Sequence, residues 1–409
     1  MHLEPIDCDI EAGGLGAAAA QAFQWQKAYG EALGAERFIS ISGAHVDACM
    51  YHGLSSLDFV SHLNRLGGRV RVPTTLNAAI LDVHQPALYG DDDRVEKQKA
   101  LTQRYVELGC VPTMTCAPYQ RMVRPSVGDH VVWAESNAIV FANSVLGART
   151  DRYGDFADIC AALTGRTPEL GLHVARNRAA TLIIELPSPS TCLPRDIYFG
   201  LVGYCVGSQS DGHIPALLGL PADATEDDLK SLGAAAASAG GLAMFHGVGI
   251  TPEAPDLEIA CQDNPRACRA ITVREAQLLE IWEGLNTADT GEEIDAICLG
   301  APHFSLAECE QLAQLLSGET KRADVEFFVS VSRETLAQLQ TGTAYQTLVN
   351  FGVQFVTDTC TYIVPAFKKG ARRVMTNSVK WAHYGPANLG LEVRLAGLEA
   401  CVETGCEGT

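Results

Sequence analysis

Hydrophobic and polar positions follow a regular pattern from about residue 240 onward. Strand-like runs such as IDAICLG and VEFFVSVS are separated by helical runs such as TVREAQLLEIWEGL and SLAECEQLAQLL. Strands that alternate with helices predict βαβ units, a parallel sheet and right-handed crossovers. We therefore predict an α/β fold for this part of the chain, in which two further helical pieces precede a last strand, VQFVTD.

The N-terminal part of the chain predicts the same elements in a less regular order. LGAAAAQAFQWQKAYGEAL is typical of an alanine-rich helix, and GGRVRVPTTLN of a short strand that runs into a Pro-Thr-Thr turn. A stretch of Ala, Gly and Ser at 233–241 is the best candidate for a boundary between two domains. We predict an N-terminal α/β region over 1–238, a C-terminal βαβ domain over 239–395 and a tail over 396–409.

Composition and charge narrow the class of protein. The 409 residues are 47% hydrophobic and 19% charged, which suits large buried cores in two or three domains. A net charge of −19 argues against nucleic acid or an anionic membrane as a partner, because both attract clustered Lys and Arg. The pattern contains no membrane span and the N-terminus has no apolar signal core, so we expect a cytoplasmic protein.

The fourteen cysteines are expected to be thiols or metal ligands in a reducing cytosol. The chain contains no C-x-x-C, which argues against a thioredoxin dithiol or a zinc ribbon. Most cysteines are expected to be small buried fillers. Cys116 and Cys360 each follow a strand, where a thiolate suits iron–sulfur chemistry, although each alone is more often a filler. A nucleophilic pair of a cysteine with His45 or His303 is the other possibility that the residues leave open.

Small hydroxyl and amide residues beside Pro or Gly recur in six loops. Hydroxyls and carboxamides fix the oxygens of a small polar acid without net charge, and Arg149 or Lys380 would supply a positive charge for a carboxylate. Helix caps and turns explain any one such loop equally well. From the residues alone we predict a cytosolic α/β enzyme for a small polar acid. The loops are SGAH (42–45), VPTTLN (72–77), PTMTCAPY (112–119), ESNA with FANS (135–144), DTC (358–360) and TNSVK (376–380).

Several of these loops, in this order, resemble the large subunit of the aconitase X family. The matching segments include SGAHVDACMYHG, VPTTLN, ESNAIVFANSVLGARTDRYGDF, GAPHFSLAE and MTNSVKWAHYGP, and they span roughly residues 40 to 385. The resemblance implies an iron–sulfur hydro-lyase of aconitase-like, multi-domain α/β architecture with parallel βαβ sheets. The cluster would be held by cysteines from separate loops, and its exposed iron would act as a Lewis acid.

The resemblance assigns Cys116 and Cys360 as cluster ligands by position. Some members have a cysteine where this chain has Ala301, which cannot ligate. Cys298 is then the expected third ligand, with Cys110 as the fallback and otherwise a filler. The cluster type, 2Fe–2S or 4Fe–4S, stays open.

The resemblance also implies a substrate and its binding residues. The neutral loops and Ala301 favour dehydration of cis-3-hydroxy-L-proline to Δ1-pyrroline-2-carboxylate over dehydration of phosphomevalonate. His45 and Lys380 are the expected catalytic residues, His45 at the leaving hydroxyl and Lys380 as a counter-charge. The expected substrate-binding residues are Ser42, Thr74, Thr75, Asn77, Ser136, Asn137, Asn143, Ser144, Arg149, Thr376, Asn377 and Ser378.

A partner is implied as well. In this family a small swivelling domain carries a Gly-Arg-Gly-Ser-like loop whose serine resembles the aconitase base, and no such loop occurs in this sequence. We expect this chain to be a large subunit, active only with a separate small subunit that carries that domain. Two rival hypotheses are a non-catalytic binding or scaffold protein and a zinc or cluster-free hydrolase that uses His303.

Overall fold

The strands are short, and nearly all belong to parallel sheets. A computed structural model describes residues 1–190, 192–289 and 291–407. Its strands are β1 Phe38–Ser40, β2 Ala44–Val46, β3 Thr74–Leu76, β4 Val132–Trp133, β5 Arg166–Pro168, β6 Leu182–Glu185, β7 Pro215–Leu218, β8 His246–Gly247, β9 Arg269–Thr272, β10 Ala296–Phe304, β11 Glu326–Val331, β12 Gln354–Val356, β13 Arg373–Thr376 and β14 Glu392–Leu395.

Helices connect and cover these strands, with short 3-10 turns between them. The helices are α1 Pro5–Glu11, α2 Ala17–Ala32, α3 Leu54–Arg65, α4 Arg94–Glu107, α5 Ser136–Ser144, α6 Ala157–Thr164, α7 Arg195–Ser210, α8 Glu226–Gly240, α9 Leu257–Ala260, α10 Glu275–Leu285, α11 Leu306–Leu315, α12 Arg333–Leu339, α13 Thr343–Phe351, α14 Val379–Leu389 and α15 Leu398–Gly405. None of the helices in the described ranges is both long and apolar enough to cross a bilayer.

Three parallel sheets and one antiparallel pair make up the architecture. The largest sheet has the order β12-β11-β10-β13-β14, the second β8-β7-β6-β9 and the third β3-β2-β4, while β1 pairs with β5 antiparallel. All strand pairs in the three larger sheets are parallel. The predicted α/β fold with parallel βαβ units is therefore confirmed.

Some predicted elements differ from the observed ones. The strand expected before the Pro-Thr-Thr turn instead begins after Pro73, because Thr74–Leu76 is the segment that pairs with Ala44–Val46. Within the predicted strand GLAMFHGVGI, only His246–Gly247 pairs, with β7. Regular hydrophobic patterning does not specify which residues meet a neighbouring strand.

The predicted boundary at 238/239 lies inside α8, and the strands of one sheet, β7 and β8, lie on either side of it. The small residues there allow α7 and α8 to approach closely. A Cβ on Gly203 of α7 would lie 2.1 Å from the Leu232 carbonyl oxygen of α8. Of the predicted tail, residues 398–405 form α15, whereas Gly408 and Thr409 lie outside the described residues.

The carboxyl ends of two sheets face each other, which is where parallel sheets place their ligands. The ends of β2, β3 and β4 run into the loops at residues 47, 77 and 135, and those of β10, β12 and β13 into the loops near residues 303, 358 and 378. A backbone hydrogen bond of 2.5 Å, from Ala79 N to the Asp358 carbonyl, joins the two sets of loops directly.

Candidate metal centre and active site

Three potential metal ligands, two cysteine thiols and one histidine imidazole, lie close together between the carboxyl edges of the two sheets. Cys116, His303 and Cys360 each offer a ligand atom, and these atoms lie within 4.8 Å of one another. All three side chains are buried. They come from the segment between α4 and β4, from the end of β10 and from the loop that follows β12. Cys116 therefore follows a helix and not, as expected from the sequence, a strand.

Unusual backbone conformations shape all three segments. Met114 lies two residues before Cys116, and Asp358 lies two residues before Cys360. Their φ angles of 47° and 67° fall in the left-handed region, which residues other than glycine rarely occupy. Gly300, three residues before His303, has φ of 89°, and a Cβ there would lie 2.2 Å from the Ser330 carbonyl oxygen. Backbone strain of this kind concentrates at functional sites.

The two thiols are electrostatically coupled. A hydrogen bond from the Cys360 thiol lowers the pKa of Cys116 to about 6, although burial opposes the shift, and His303 and Lys380 contribute in the same direction. The same contact raises the pKa of Cys360. The contact therefore favours the thiolate form of Cys116, which is the form that binds metals.

Hydrogen bonds fix the orientation of the His303 ring. Its Nε2 lies 3.1 Å from the Thr359 carbonyl oxygen, and its Nδ1 lies 3.0 Å from the Thr115 hydroxyl oxygen. Because a carbonyl only accepts, Nε2 carries the proton and the lone pair is on Nδ1. A partner that fixes the tautomer in this way is typical of histidines that bind metals.

This donor set fits the metal chemistry that the family resemblance implies. Soft thiolates suit iron–sulfur clusters, and a histidine replaces cysteine ligands in some of them. Two cysteines and one histidine are also the ligands of some catalytic zinc sites. The residues at this centre would hold either kind of metal group.

A buried ion pair borders the thiols. Lys380 Nζ lies 3.0 Å from Glu135 Oε1, and both side chains are about one-twentieth exposed. Burial acts to lower the pKa of Lys380, but Glu135 together with Tyr362, Cys116 and Cys360 outweighs that effect, so the pKa lies well above its ordinary value. Glu135 also accepts a hydrogen bond of 2.6 Å from Ala138 N as the N-cap of α5, and the Ser378 hydroxyl caps α14.

Two polar atoms beside this pair have no hydrogen-bond partner among the described residues. His45 Nδ1 lies 2.8 Å from Thr75 Oγ1, while its Nε2 is unpartnered. Asn77 Nδ2 donates to Asp47 Oδ1, which leaves Asn77 Oδ1 unpartnered. Burial lowers the pKa of His45 to about 4 and raises that of Asp47 to about 6. The neutral imidazole and the amide oxygen are thus available to a ligand.

Other predicted residues border the same centre. Asn137 donates to the Cys116 carbonyl at 3.0 Å, and Ser136 adjoins Glu135. Ser378 donates to the Ala301 carbonyl and Thr376 accepts from Ser378 N, so both hold loops in place. Asn377 lines, with Ser378, Ala301, Pro302 and Lys230, a cleft of about 670 Å³ whose lining does not include Cys116, His303 or Cys360.

The structure separates five predicted residues from the centre. Ser42 and Arg149 lie at the amino end of the three-stranded sheet, where Ser42 Oγ bonds to the His130 carbonyl and Arg149 bridges to His130. The Thr74 hydroxyl bonds to Val72 O at that same end. Asn143 and Ser144 lie roughly 10 Å along α5 from Asn137, and they bond to the backbone of Thr150 and Phe245.

Cys298, the expected third ligand, is not part of the donor group in the described part of the chain. It lies within β10, where burial raises the pKa of its thiol to about 12 and Thr361 provides a hydrogen bond. His303, further along the same strand, belongs to the donor group instead. Cys110 packs in the apolar core of the N-terminal region.

Glu135 and Asp47 were not predicted from the sequence as site residues, and His303 was considered only in the alternative hypotheses of a nucleophilic pair and of a hydrolase. All three lie within two residues of the end of a buried strand. Glu135 begins the ESNA loop, whereas Asp47 and His303 lie in the segments SGAHVDACMYHG and GAPHFSLAE, which carry the family resemblance. A charged residue at the carboxyl end of a parallel strand was the available signal.

Arg333 holds both cysteine loops. Its Nε and Nη2 donate to the two carboxylate oxygens of Asp358 at 2.6 and 2.8 Å, and its Nη1 donates to the Pro112 carbonyl at 3.4 Å. Asp358 precedes Cys360 by two residues and Pro112 precedes Cys116 by four. One guanidinium thus ties together the segments that carry the two thiols.

Replacing Arg333 with glutamine is expected to weaken metal binding by about 10- to 100-fold, because outer residues that orient ligands have effects of that size. The affinity for cobalt(II), followed through the thiolate-to-cobalt absorption band, measures this effect. Arg322→Gln is the matched control, since Arg322 makes the same two-point contact with Asp324 at the surface. Equal affinities of the two variants would show that Arg333 does not position the thiols.

A buried carboxyl supports the loop that carries Asp47. Asp158 accepts hydrogen bonds from Asp47 N at 2.7 Å and Ile159 N at 2.6 Å. Burial raises its pKa from 3.8 to about 7. A carboxyl with a raised folded-state pKa contributes stability that is fully present below the unfolded pKa and is lost as the pH rises through the folded pKa.

The free energy of unfolding of the wild type, relative to that of Asp158→Asn, is therefore expected to fall between about pH 4 and about pH 7. The rise in the Asp158 pKa from 3.8 to about 7 corresponds to a change of at most about 4 kcal/mol in the free energy of unfolding. Urea titrations of both proteins across this range measure the difference, with the exposed Asp58→Asn as the control. A difference that is constant with pH would contradict the expectation.

Comparisons with known proteins identify the family. Three family models match in succession: the aconitase X first domain over residues 1–176, the second domain over 180–283 and the third domain over 294–407. The crystal structure of Thermococcus kodakaraensis aconitase X in its holo-form superposes with a TM-score of 0.88, at 33% identity over 99% of this chain and 100% of that one.

Curated relatives fall into two groups. A cis-3-hydroxy-L-proline dehydratase of Pseudomonas aeruginosa is 42% identical over all of this chain and 70% of its own length. The enzyme of that name from Hypocrea jecorina is 40% identical over 92% of this chain and 63% of its own length. The phosphomevalonate dehydratase large subunit of Thermococcus kodakarensis is 34% identical over 98% of this chain and 99% of its own length. This chain belongs to the aconitase X family.

Proposed function

We propose that this chain is the large component of an iron–sulfur hydro-lyase that dehydrates cis-3-hydroxy-L-proline. The observation that carries the proposal is the buried group of Cys116, His303 and Cys360, faced by the unpartnered atoms of His45 and Asn77. The names of the two relatives with 42% and 40% identity support the substrate.

The polar atoms of the site favour a substrate with a protonated ring nitrogen. Asn77 Oδ1 is a buried acceptor without a partner among the described residues, and His45 Nε2 lies free of one as well. An unpartnered amide acceptor matches an N–H donor of a secondary ammonium, whereas a phosphate ester offers acceptors of its own.

The remaining substrate groups find complementary partners. Lys380 uses one N–H for Glu135 and keeps two for the substrate carboxylate, whose charge increases as the C2 proton leaves. A bound cluster would supply a Lewis acid for the departing C3 hydroxyl. Burial of these groups excludes water and strengthens their interactions with the substrate.

The proposal includes a small-subunit partner that supplies the serine base, and a cytoplasmic location. The archaeal relatives are named large subunits, and this chain aligns with nearly their whole length. The fourteen cysteines are all free thiols, which suits a reducing compartment.

Turnover by the oxygen-free complex with its candidate small subunit tests the proposal. We expect dehydration of cis-3-hydroxy-L-proline with a kcat/KM well above that for phosphomevalonate. Asn77→Leu should raise KM for hydroxyproline more than it lowers kcat, because it removes a contact to the ring nitrogen. Preferential turnover of phosphomevalonate, or no turnover of either compound by the metal-loaded complex, would overturn the proposal.

A further inference from the structure

A second pair of thiols lies outside the metal centre, in the second aconitase X domain. Cys261 directly follows α9 as its C-cap, and Cys268 immediately precedes β9. Their sulfur atoms are 3.5 Å apart. Cys268 Sγ also lies 3.2 Å from the Ala180 carbonyl oxygen.

The segment between the two cysteines folds back on itself. Gln262 and Asp263 are consecutive residues with φ of 47° and 63°, which reverses the chain directly after Cys261. The Gln262 side chain anchors this reversal by donating to the Ala175 carbonyl at 2.8 Å. The two sulfurs thus meet because a short loop returns to its starting point.

The two thiols differ in access to solvent. Cys268 is partly exposed, whereas Cys261 is only 4% exposed and packs against Ala180 and Ala260. Burial, reinforced by Cys268, raises the pKa of Cys261 to about 12. An accessible thiol in contact with a protected one is the arrangement in which one cysteine meets an oxidant and the other resolves the product.

We propose that Cys261 and Cys268 form a modification site for hydroperoxides, at which oxidation closes a reversible disulfide. The Cys268 sulfur attacks one peroxide oxygen, the O–O bond breaks, and the alcohol or water leaves with a proton. The Cys261 sulfur then attacks the sulfur of the resulting sulfenic acid, the S–O bond breaks, and water leaves with the Cys261 proton. Two thiols and one hydroperoxide become one disulfide, one alcohol or water molecule and one further water molecule.

Formation of the Cys261–Cys268 disulfide would join the end of α9 to the start of β9 without altering a ligand of the metal centre. The new bond replaces the contacts of the Cys268 thiol with Ala180 O and with Cys261. The two sulfurs are already 3.5 Å apart, so they must approach by about a further 1.5 Å to form the bond.

Digestion with trypsin allows the disulfide to be detected directly, because it separates the two cysteines into different peptides. The exposed Arg266 lies between the two cysteines, so cleavage places Cys261 in residues 231–266 and Cys268 in the tripeptide 267–269. The full-length protein is treated with hydrogen peroxide, alkylated and digested. We expect the two peptides to be joined, with the loss of two hydrogens, and to separate after treatment with dithiothreitol.

Variants identify the order of the steps. In Cys261→Ser, Cys268 should accumulate as sulfenic acid, trapped by dimedone, whereas in Cys268→Ser Cys261 should stay unmodified. Cys192→Ser, at an exposed lone cysteine, should leave the disulfide yield unchanged. Peptides that remain separate, with Cys268 either unmodified or overoxidised while Cys261 is a free thiol, would overturn the proposal.

Discussion

Replacing Cys116 with serine is expected to abolish metal binding and to lower dehydratase activity by about 10³-fold or more. The substitution removes the thiolate that the Cys360 contact and His303 stabilise. A Lewis acid contributes several kcal/mol to transition-state stabilisation, and each 1.36 kcal/mol is a factor of ten in rate. Metal content per chain and turnover of the complex are the two measurements.

Matched substitutions decide which residue is the third ligand. His303→Ala should lose metal as Cys116→Ser does, because its ring lies within 4.8 Å of both thiols. Cys298→Ser and Cys110→Ser should keep their metal, since these thiols lie in β10 and in the N-terminal core. Metal loss in Cys298→Ser with full retention in His303→Ala would contradict this assignment and restore the ligand set expected from sequence.

Breaking the buried pair of Lys380 and Glu135 should destabilise the protein by about 3–5 kcal/mol, because one charge is left buried without its partner. Lys380→Met and Glu135→Gln should each show this loss. The double variant should recover most of it, since neutral groups of similar size replace a buried pair at little cost. The midpoint of urea unfolding of the metal-free protein reports these changes.

Activity should not follow stability in this series. All three variants should stay nearly inactive, because Lys380 is proposed to bind the substrate carboxylate. A double variant that regains activity together with stability would show that the pair is only structural. Additive destabilisation by the two single substitutions would show that the side chains do not interact.

The parallel α/β fold could be predicted because its signals are local. The runs that became β10, α11 and β11 carry the periodicity of buried strands and amphipathic helices. The assignment of Cys116 and Cys360 to one site came from resemblance, and in the folded chain their ligand atoms lie within 4.8 Å of each other and of a His303 ring nitrogen.

What could not be predicted depends on side-chain direction and on position along an element. Asn143 belongs to the same helix as Asn137, but it lies nearly two turns further along the helix and therefore away from the thiols. Cys298 and His303 share β10, where the left-handed Gly300 and a shift in strand pairing after Leu299 direct the end of the strand toward Cys116. Ser42 precedes its strand and Asn77 follows its own, so similar polar loops lie at opposite edges of one sheet.

Iron and acid-labile sulfide per chain, measured on oxygen-free protein with its candidate small subunit, show whether Cys116, His303 and Cys360 hold an iron–sulfur cluster. We expect iron and sulfide in comparable amounts, and the loss of both from Cys116→Ser. Zinc without sulfide would match the two-cysteine, one-histidine alternative and contradict the proposed hydro-lyase chemistry. No metal after reconstitution would mean that the fold persists without that chemistry.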